Sequence, residues 1–182
     1  MIVDTARLWL RPVLPEDVDS LVHLDSDPEV MRFVNGGAPT PRSRVADWTI
    51  PRARAEHAAH GTGVWTLIDK STGEFVGWVS LRRPRHSPRT EVELSYRLQR
   101  RMWGRGMATE AAAAIVDLAL TTHRAERVFA GVAPANIASR RVLTKIGMRP
   151  AAESSSPDVV EYEILRAGTG RRHGSPAALP GA

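Results

Sequence analysis

The stretch Glu91–Leu120 reads EVELSYRL, then QRRMWGRGM, then ATEAAAAIVDLAL. Its first part alternates apolar and polar residues, which predicts a strand whose apolar side carries Val92, Leu94, Tyr96 and Leu98. Its last part repeats apolar residues at helical spacing, which predicts a helix with one apolar face made of Ala108, Ala111, Ala112, Ile115, Leu118 and Ala119. Between them lies a basic loop with two glycines. Because glycine lets the backbone approach an anion and the first N–H groups of a helix lack partners, this order of elements favours a phosphate ligand.

The glycine loop is not one of the common nucleotide motifs. It lacks the G-x-x-x-x-G-K-[ST] of a P-loop. It is also a poor dinucleotide fingerprint, because Gly104-Arg105-Gly106 is followed by Thr109 where the third glycine should stand. On these residues alone, an ordinary tight turn remains an equal alternative.

The longer sequence pattern around the loop resembles that of a known family. The run WGRGMATEA, after a strand ending in SYRL, resembles the acetyl-CoA loop of the GNAT acetyltransferases, Q/R-x-x-G-x-G/A. Trp103 stands where that pattern begins with Gln or Arg. A Trp-Gly pair followed by a basic residue is typical of the branch resembling ribosomal-protein N-terminal (alanine/serine) acetyltransferases. The opening TARLWLRPVLPEDVDSL resembles the same branch. The resemblance implies that acetyl-CoA, the acyl donor, is held through the main chain of Trp103, Gly104, Arg105, Gly106, Met107, Ala108 and Thr109.

A second match lies at residues 136–148, which resemble the N-x-x-S-x-x-[VL]-[LI]-x-K-x-G-[FM] segment of the same enzymes. The resemblance implies that Asn136 hydrogen-bonds the pantetheine arm and that Ser139 lies near the sulfur. Local physics offers a structural alternative, in which Asn136 caps a helix and Ser139 closes its first turn.

The family resemblance also assigns roles along the strand 91–98. In the family this strand splays from its neighbour near its middle. Main-chain N–H groups, here near Ser95 and Tyr96, would then bond the acetyl carbonyl, and Leu98 would pair with pantetheine as if with another strand.

The implied reaction, acetyl transfer to an amine, needs a base and a partner for the leaving thiolate. Glu93 is the candidate base, because a carboxylate within a central strand is expensive to bury alone. Glu91 is a rival, and both could instead pair with arginines such as Arg82, Arg83 or Arg97. Ser139 is the candidate for the thiolate, and Tyr96 is a weaker alternative because its side chain lies on the face opposite Glu93. No metal is required.

Composition limits the function classes. The 182 residues contain no Cys, which excludes disulfides, thiolate catalysis and cysteine metal sites. No apolar run is long enough for a membrane span and no signal peptide is evident, so we expect a cytoplasmic protein without a membrane partner. The net charge of +5 suits an anionic ligand such as CoA. We expect no nucleic-acid partner, since no recognised binding motif is present.

The order of elements predicts a mixed α/β (α+β) fold. We expect a GNAT-like, mostly antiparallel central sheet of about seven strands with about four helices. Residues 1–166 should form a single domain, followed by a disordered Gly/Pro/Ala-rich tail over 167–182. A long helix is expected over residues 41–60, with Trp48 packed inward. In the family this region builds one wall of the acceptor site, and its arginines favour a neutral or acidic acceptor.

Three functions are compatible with the sequence. The first is an acetyl-CoA-dependent N-acetyltransferase acting on a protein N-terminal α-amine. The second is the same chemistry on a small amine, such as an aminoglycoside, a polyamine or an amino acid. The third is a non-enzymatic module that binds acyl-CoA or nucleic acid. A monomer and a homodimer are both compatible with the sequence.

Overall fold

The computed structural model describes residues 1–84, 90–152, 156 and 158–167. Within them, eight strands form one sheet in the order β1-β2-β3-β4-β5-β6-β8-β7. All neighbouring strands are antiparallel except β5 and β6, which run parallel. The strands are β1 Val3–Asp4, β2 Leu8–Pro12, β3 Gly63–Asp69, β4 Phe75–Arg82, β5 Glu91–Leu98, β6 Arg127–Val132, β7 Arg149–Pro150 and β8 Val160–Leu165.

The helices lie between these strands. A 3-10 turn at Pro15–Asp17 leads into the first, and a second 3-10 turn occupies Arg100–Met102. The helices are α1 Val18–Ser26, α2 Pro28–Asn35, α3 Arg42–Arg44, α4 Ile50–His60, α5 Met107–Thr121 and α6 Ile137–Lys145. A π-helical segment, Val45–Thr49, joins α3 to α4, so residues 42–60 form one continuous helix as predicted. Counted this way, the described chain has five helices.

Two hydrophobic clusters cover the two faces of the sheet. Helix α5 buries Ala111, Ala112, Ile115 and Ala119 against the strand residues of the larger cluster, such as Leu10, Leu67 and Leu94. The face predicted for this helix is therefore confirmed. On the other face, α1 and the helix 42–60 pack through a smaller cluster made of Val13, Leu21, Val45, Ile50 and Ala53. These helices lie over β3 and β4, where Val64, Phe75 and Trp78 contact them.

Most predicted elements are confirmed, and the differences have local causes. The sheet has eight strands where about seven were expected, because β1 is a two-residue strand at the edge with no periodicity to detect. Trp48 is not packed inward: it is 48% exposed, with the guanidinium groups of Arg44 and Arg52 near its ring. The sequence also predicts a basic loop over Arg82–Arg89 and a polar turn over residues 154–157. Residues 85–89, most of that turn and the tail from 168 lie outside the described residues.

Candidate donor-binding and acyl-transfer site

The central strand β5 separates from β6 partway along its length. The two strands pair only at Glu91–Glu93, opposite Arg127–Phe129. On its other side β5 stays paired with β4 as far as Leu98, opposite Gly77. The splay implied by the family resemblance is therefore present, and it opens a gap beside the second half of β5.

Main-chain groups of β5 face this gap. The Gln99 N–H donates to the Val76 carbonyl of β4 at 2.9 Å. Because main-chain groups alternate sides along an antiparallel strand, Tyr96 and Leu98 turn theirs away from β4. Of the two N–H groups expected near the acetyl carbonyl, that of Tyr96 thus faces the gap, whereas that of Ser95 turns towards β4. The Leu98 carbonyl accepts a hydrogen bond from Trp103 Nε1 at 2.9 Å, which ties the strand to the glycine loop.

A cleft of about 480 Å³ occupies the gap. It is lined by almost every residue for which the sequence predicts acetyl-CoA binding: Tyr96, Leu98, Trp103, Gly104, Gly106, Met107, Ala108, Thr109, Asn136 and Ser139. Arg105 is the exception. Its carbonyl accepts a hydrogen bond from Arg7, and its side chain contacts the sulfur of Met102.

The glycine loop has a backbone conformation that favours glycine. Gly104 and Gly106 have φ angles of 73° and 78°, in the left-handed region that favours glycine. Gly106 is the N-cap of α5, so the unpaired N–H groups of the first helical turn start directly after it. A methyl group added at Gly104 would meet no atom within 4 Å, so the loop is open on that side.

Asn136 caps helix α6, as the structural alternative predicts, and it also lines the cleft. Its side-chain oxygen accepts a hydrogen bond from the Ser139 N–H at 3.1 Å, which caps α6. The same residue lines the cleft. The cap therefore fixes where the start of α6 stands relative to the gap.

Two hydroxyl groups meet inside the cleft. Tyr96 Oη and Ser139 Oγ are 2.8 Å apart, and Tyr96 Oη also lies 3.2 Å from the Ser139 carbonyl. Burial raises the pKa of Tyr96 to about 12, and the hydrogen bond from Ser139 only partly opposes that rise. The tyrosine therefore stays protonated at neutral pH and can act as a proton donor.

Glu93 stands on the other face of the sheet, as its place in the alternation requires. It does not line the cleft. It lies opposite Phe129 at the last paired position before the gap, and its carboxylate is 4.0 Å from Arg82 Nε. The side chain is 37% exposed, so the ion pair with Arg82 leaves it accessible.

Glu91, the rival base, belongs to a separate ion cluster. Its carboxylate lies 3.0 Å from Arg127 Nη1, and the same guanidinium bonds Glu161 and Glu163. Burial opposes the charged form of Arg127, but the three carboxylates together raise its pKa. Of the expected partners, Arg97 pairs with Asp25.

Several residues that line the cleft were not predicted from the sequence. Arg141 and Lys145 of α6 add two positive charges, and α2 contributes Glu29, Val30, Arg32 and Phe33. The α6 pair had a detectable signal, since Ala138, Arg141, Val142 and Lys145 follow each other at helical spacing. The α2 residues had none, because only the tertiary fold brings that helix to the gap.

Comparison with known proteins gives the family. The family described as "Acetyltransferase (GNAT) domain" matches residues 7–149. The chain belongs to this family. It is therefore an acetyl-CoA-dependent acetyltransferase, and the non-enzymatic alternative is set aside.

Curated relatives agree with this assignment. The uncharacterized protein YkkB of Bacillus subtilis is 34% identical over 145 residues, covering 79% of this chain and 83% of its own length. The FsC-acetyl coenzyme A-N(2)-transacetylase of Aspergillus fumigatus is 31% identical over 153 residues, covering 79% of this chain. The matched part spans 63% of that relative, so the fungal enzyme is considerably longer than the region shared.

Solved structures share the fold. An acetyltransferase of Agrobacterium tumefaciens is 28% identical, with a TM-score of 0.75 over 91% of this chain and 95% of its own. The ribosomal-protein-S5-alanine acetyltransferase of Vibrio fischeri reaches a TM-score of 0.78 at 14% identity, over 94% and 100% of the two chains. RimJ of Mycobacterium smegmatis, solved in complex with a CoA disulfide, reaches 0.71 at 23% identity, over 91% and 87%. The fold class predicted from the sequence is confirmed.

Within the described residues no helix combines the length and the apolar character needed to cross a membrane.

Proposed function

We propose that the gap between β5 and β6 is the acetyl-CoA site of an N-acetyltransferase that acts on a primary amine. One observation carries the proposal: β5 stops pairing with β6 after Glu93, directly beside a glycine loop that leads into helix α5. The exposed edge formed by Tyr96 and Leu98 can pair with the two amide groups of pantetheine as a further strand would. The thioester then lies near the Tyr96 N–H, which can stabilise the carbonyl oxygen as negative charge develops on it.

The charges of the cleft suit the other end of the same ligand. The diphosphate of CoA would lie at the N–H groups of residues 104–109, where the dipole of the fifteen-residue helix α5 adds partial positive charge. Arg141 and Lys145 line the same cleft and balance further phosphate charge. Phosphate is thus met by main-chain donors and by two flexible cations.

The acyl-transfer step follows from the two faces of β5. The amine approaches from the face of Glu93, and its nitrogen attacks the acetyl carbon while the bond from that carbon to sulfur breaks. Glu93, directly or through a water, takes the proton that the nitrogen loses. On the opposite face, the Tyr96–Ser139 hydroxyl pair supplies a proton to the departing thiolate and regains one from solvent, to which Glu93 releases the proton it took. The products are an N-acetyl amide and CoA with a free thiol.

We infer that the acceptor is a protein N-terminal α-amine. The wording of the glycine loop and of the N-terminal stretch supports this, because both resemble the branch of ribosomal-protein acetyltransferases. An α-amine has a pKa of about 8, against about 10 for an alkylamine. A larger fraction of it is therefore already deprotonated at neutral pH, and it depends less on Glu93 as a base. The basic helix 42–60 suits a neutral or acidic peptide.

A small amine is the second candidate, because one relative at 31% identity is named as an N(2)-transacetylase.

The two candidates can be separated by incubating purified protein and labelled acetyl-CoA with a panel of acceptors. The panel contains peptides with a free α-amine, the same peptides with the α-amine blocked and a free lysine, polyamines, aminoglycosides and amino acids. Transfer to the free α-amine peptides alone supports the first proposal. Transfer only to small amines contradicts it and supports the second.

A further inference from the structure

The turn between β1 and β2 contacts the glycine loop through one arginine. Arg7 Nη1 donates to the Arg105 carbonyl at 2.9 Å, and Arg7 Nε donates to Glu110 Oε2 at 2.7 Å. The other carboxylate oxygen of Glu110 accepts from the Arg7 N–H and from the Thr5 hydroxyl, both at 2.7 Å. The side chain of Glu110 is 16% exposed, so this contact is partly shielded from water.

The bond to the Arg105 carbonyl fixes the direction of the next N–H group. No peptide bond of the described chain is cis, and in a planar trans peptide the carbonyl and the following N–H point in opposite directions. Because the Arg105 carbonyl points at Arg7, the Gly106 N–H points away from it. Gly106 lines the cleft whereas Arg105 does not, which agrees with an N–H directed towards the ligand.

This peptide needs an external restraint. Glycine adopts positive and negative φ with similar ease, so Gly106 by itself allows the preceding peptide unit to rotate. The guanidinium of Arg7 stands against it, with Nη2 3.5 Å from the position of a Cβ at Gly106. The charge of Arg7 also offsets that of Glu110, a carboxylate in the first turn of α5 that would otherwise repel phosphate.

We infer that Arg7 is a positioning residue for the diphosphate of acetyl-CoA: it holds the Arg105–Gly106 peptide so that the Gly106 N–H faces the ligand, and it neutralises Glu110. The inference rests on the proposed role of residues 103–109 in phosphate binding. It extends the donor site to a segment that is about 100 residues away in the sequence and does not line the cleft.

The test compares a donor that carries phosphate with one that does not. For Arg7→Met, the Kd of CoA measured by calorimetry should rise about tenfold, the size expected when one charge-assisted hydrogen bond is lost. The kcat/KM for S-acetylpantetheine, which has no phosphate, should stay within about twofold of the wild-type value. Arg101→Met is the matched control, because it removes an Arg–Glu pair of similar length, 2.8 Å to Glu74, that lies outside residues 103–109. It should leave both quantities unchanged.

Each other outcome has a definite meaning. Unchanged CoA affinity in Arg7→Met overturns the inference, and so does an equal loss for both donors, which would mark a purely structural role. Arg7→Lys, which keeps the charge but cannot bridge both acceptors, covers the case in which Arg7→Met does not fold. It should lose CoA affinity while its S-acetylpantetheine rate is retained, and wild-type CoA affinity in this variant would also overturn the inference. If wild-type protein does not bind CoA at all, the loop assignment fails rather than the role of Arg7.

Discussion

Glu93 and Tyr96 lie three residues apart on β5, so their side chains stand on opposite faces of the sheet. Only Tyr96 lines the donor cleft, where its hydroxyl meets Ser139 at 2.8 Å. Glu93 stands at the last paired position before the gap, on the face that the cleft does not reach. One strand can therefore present a base to the acceptor and an acid to the thiolate without the two groups neutralising each other.

The role of Glu93 is tested by its pH dependence. Glu93→Gln should lower kcat/KM at neutral pH by about 10²–10⁴, the range that general-base catalysis supplies. The defect should shrink as the pH rises towards the pKa of the acceptor amine, since a free amine needs no base. Acetyl-CoA affinity should hardly change. The measurement is the pH profile of kcat/KM with one working acceptor.

Glu91→Gln is the matched control for this prediction. It removes one of the three carboxylates around Arg127, so it should lower the melting temperature and leave the shape of the pH profile intact. If Glu91→Gln shows the pH-dependent loss and Glu93→Gln does not, the base has been assigned to the wrong carboxylate.

The hydroxyl pair can be separated in the same way. Tyr96→Phe should lower kcat by about 10- to 100-fold, less than a full general-acid effect because a thiolate is a tolerable leaving group. Ser139→Ala should be milder, since burial keeps the Tyr96 hydroxyl protonated and that hydroxyl still lines the cleft as a donor. Steady-state kinetics at saturating acetyl-CoA measure both. A normal rate in Tyr96→Phe with a large loss in Ser139→Ala would reverse these two roles.

At the scale of elements, the donor cleft depends on how closely β4 supports β5. Gly77 of β4 lies opposite Leu98 and has a φ of 155°. A Cβ built there would lie 2.2 Å from the Arg97 carbonyl oxygen and 2.7 Å from Leu98 Cα, both main-chain atoms. The strand that borders the cleft is thus held at a distance that only glycine permits.

Gly77→Ala should therefore be strongly destabilising, by about 3 kcal/mol, because the backbone of β5 must move to admit the methyl group. For a chain of this size that corresponds to a fall in Tm of roughly 10 °C. Gly73→Ala is the matched control: it also has a left-handed φ, of 71°, but no atom lies within 4 Å of its Cβ. Its cost should be only the ~1 kcal/mol of backbone strain. Equal melting temperatures for the two variants, measured by calorimetry, would contradict the close approach.

Local patterns predicted the elements well where periodicity is strong. The bounds of β5 and the apolar face of α5 follow from residue spacing, and the cap of α6 at Asn136 follows from the residue type. Two features could not be predicted in that way. The approach of α2 to the cleft and the ion pair between Arg7 and Glu110 depend on contacts between segments far apart in sequence. Such contacts leave no period in the local sequence.

At the scale of the whole molecule, two partly buried histidines join α4, β3 and the end of α5. His57 Nε2 lies 3.0 Å from the Val64 carbonyl, and its ring stands edge-on to Trp65. His123 lies against Gly61, and its Nε2 is buried without a hydrogen-bond partner in the described structure. Burial is the main cause that lowers the pKa of both residues.

Because of these two histidines, we expect the free energy of unfolding to fall in mild acid. Because their pKa values in the folded state lie below the unfolded value of about 6.5, the unfolded chain takes up protons first as the pH falls. Stability should therefore be fully present above about pH 6.5 and should decrease as the pH falls below that value. Melting curves between pH 7 and 5 measure the effect. His57→Gln and His123→Gln should flatten the dependence, whereas His60→Gln, at an exposed position, should not. A flat wild-type curve would contradict the prediction.

The proposed single domain, the cytoplasmic location and the monomer or homodimer alternatives stay predictions. The overall plan of the sheet is supported by the family match over residues 7–149 and by solved structures that share the fold. Within that plan, the gap opens in the interior of the sheet, where the parallel pair β5 and β6 separates. The proposed donor site therefore depends on the strand order, and its side chains add to what the main chain provides.

A crystal structure of the complex would show whether acetyl-CoA binds in the gap between β5 and β6. We expect pantetheine to hydrogen-bond to the main chain of Tyr96 and Leu98, with the diphosphate at the N–H groups of residues 104–109. The thioester sulfur should lie within hydrogen-bonding reach of the Tyr96–Ser139 hydroxyl pair. A complex with CoA bound outside this gap, or with β5 and β6 paired along their full length, would contradict it.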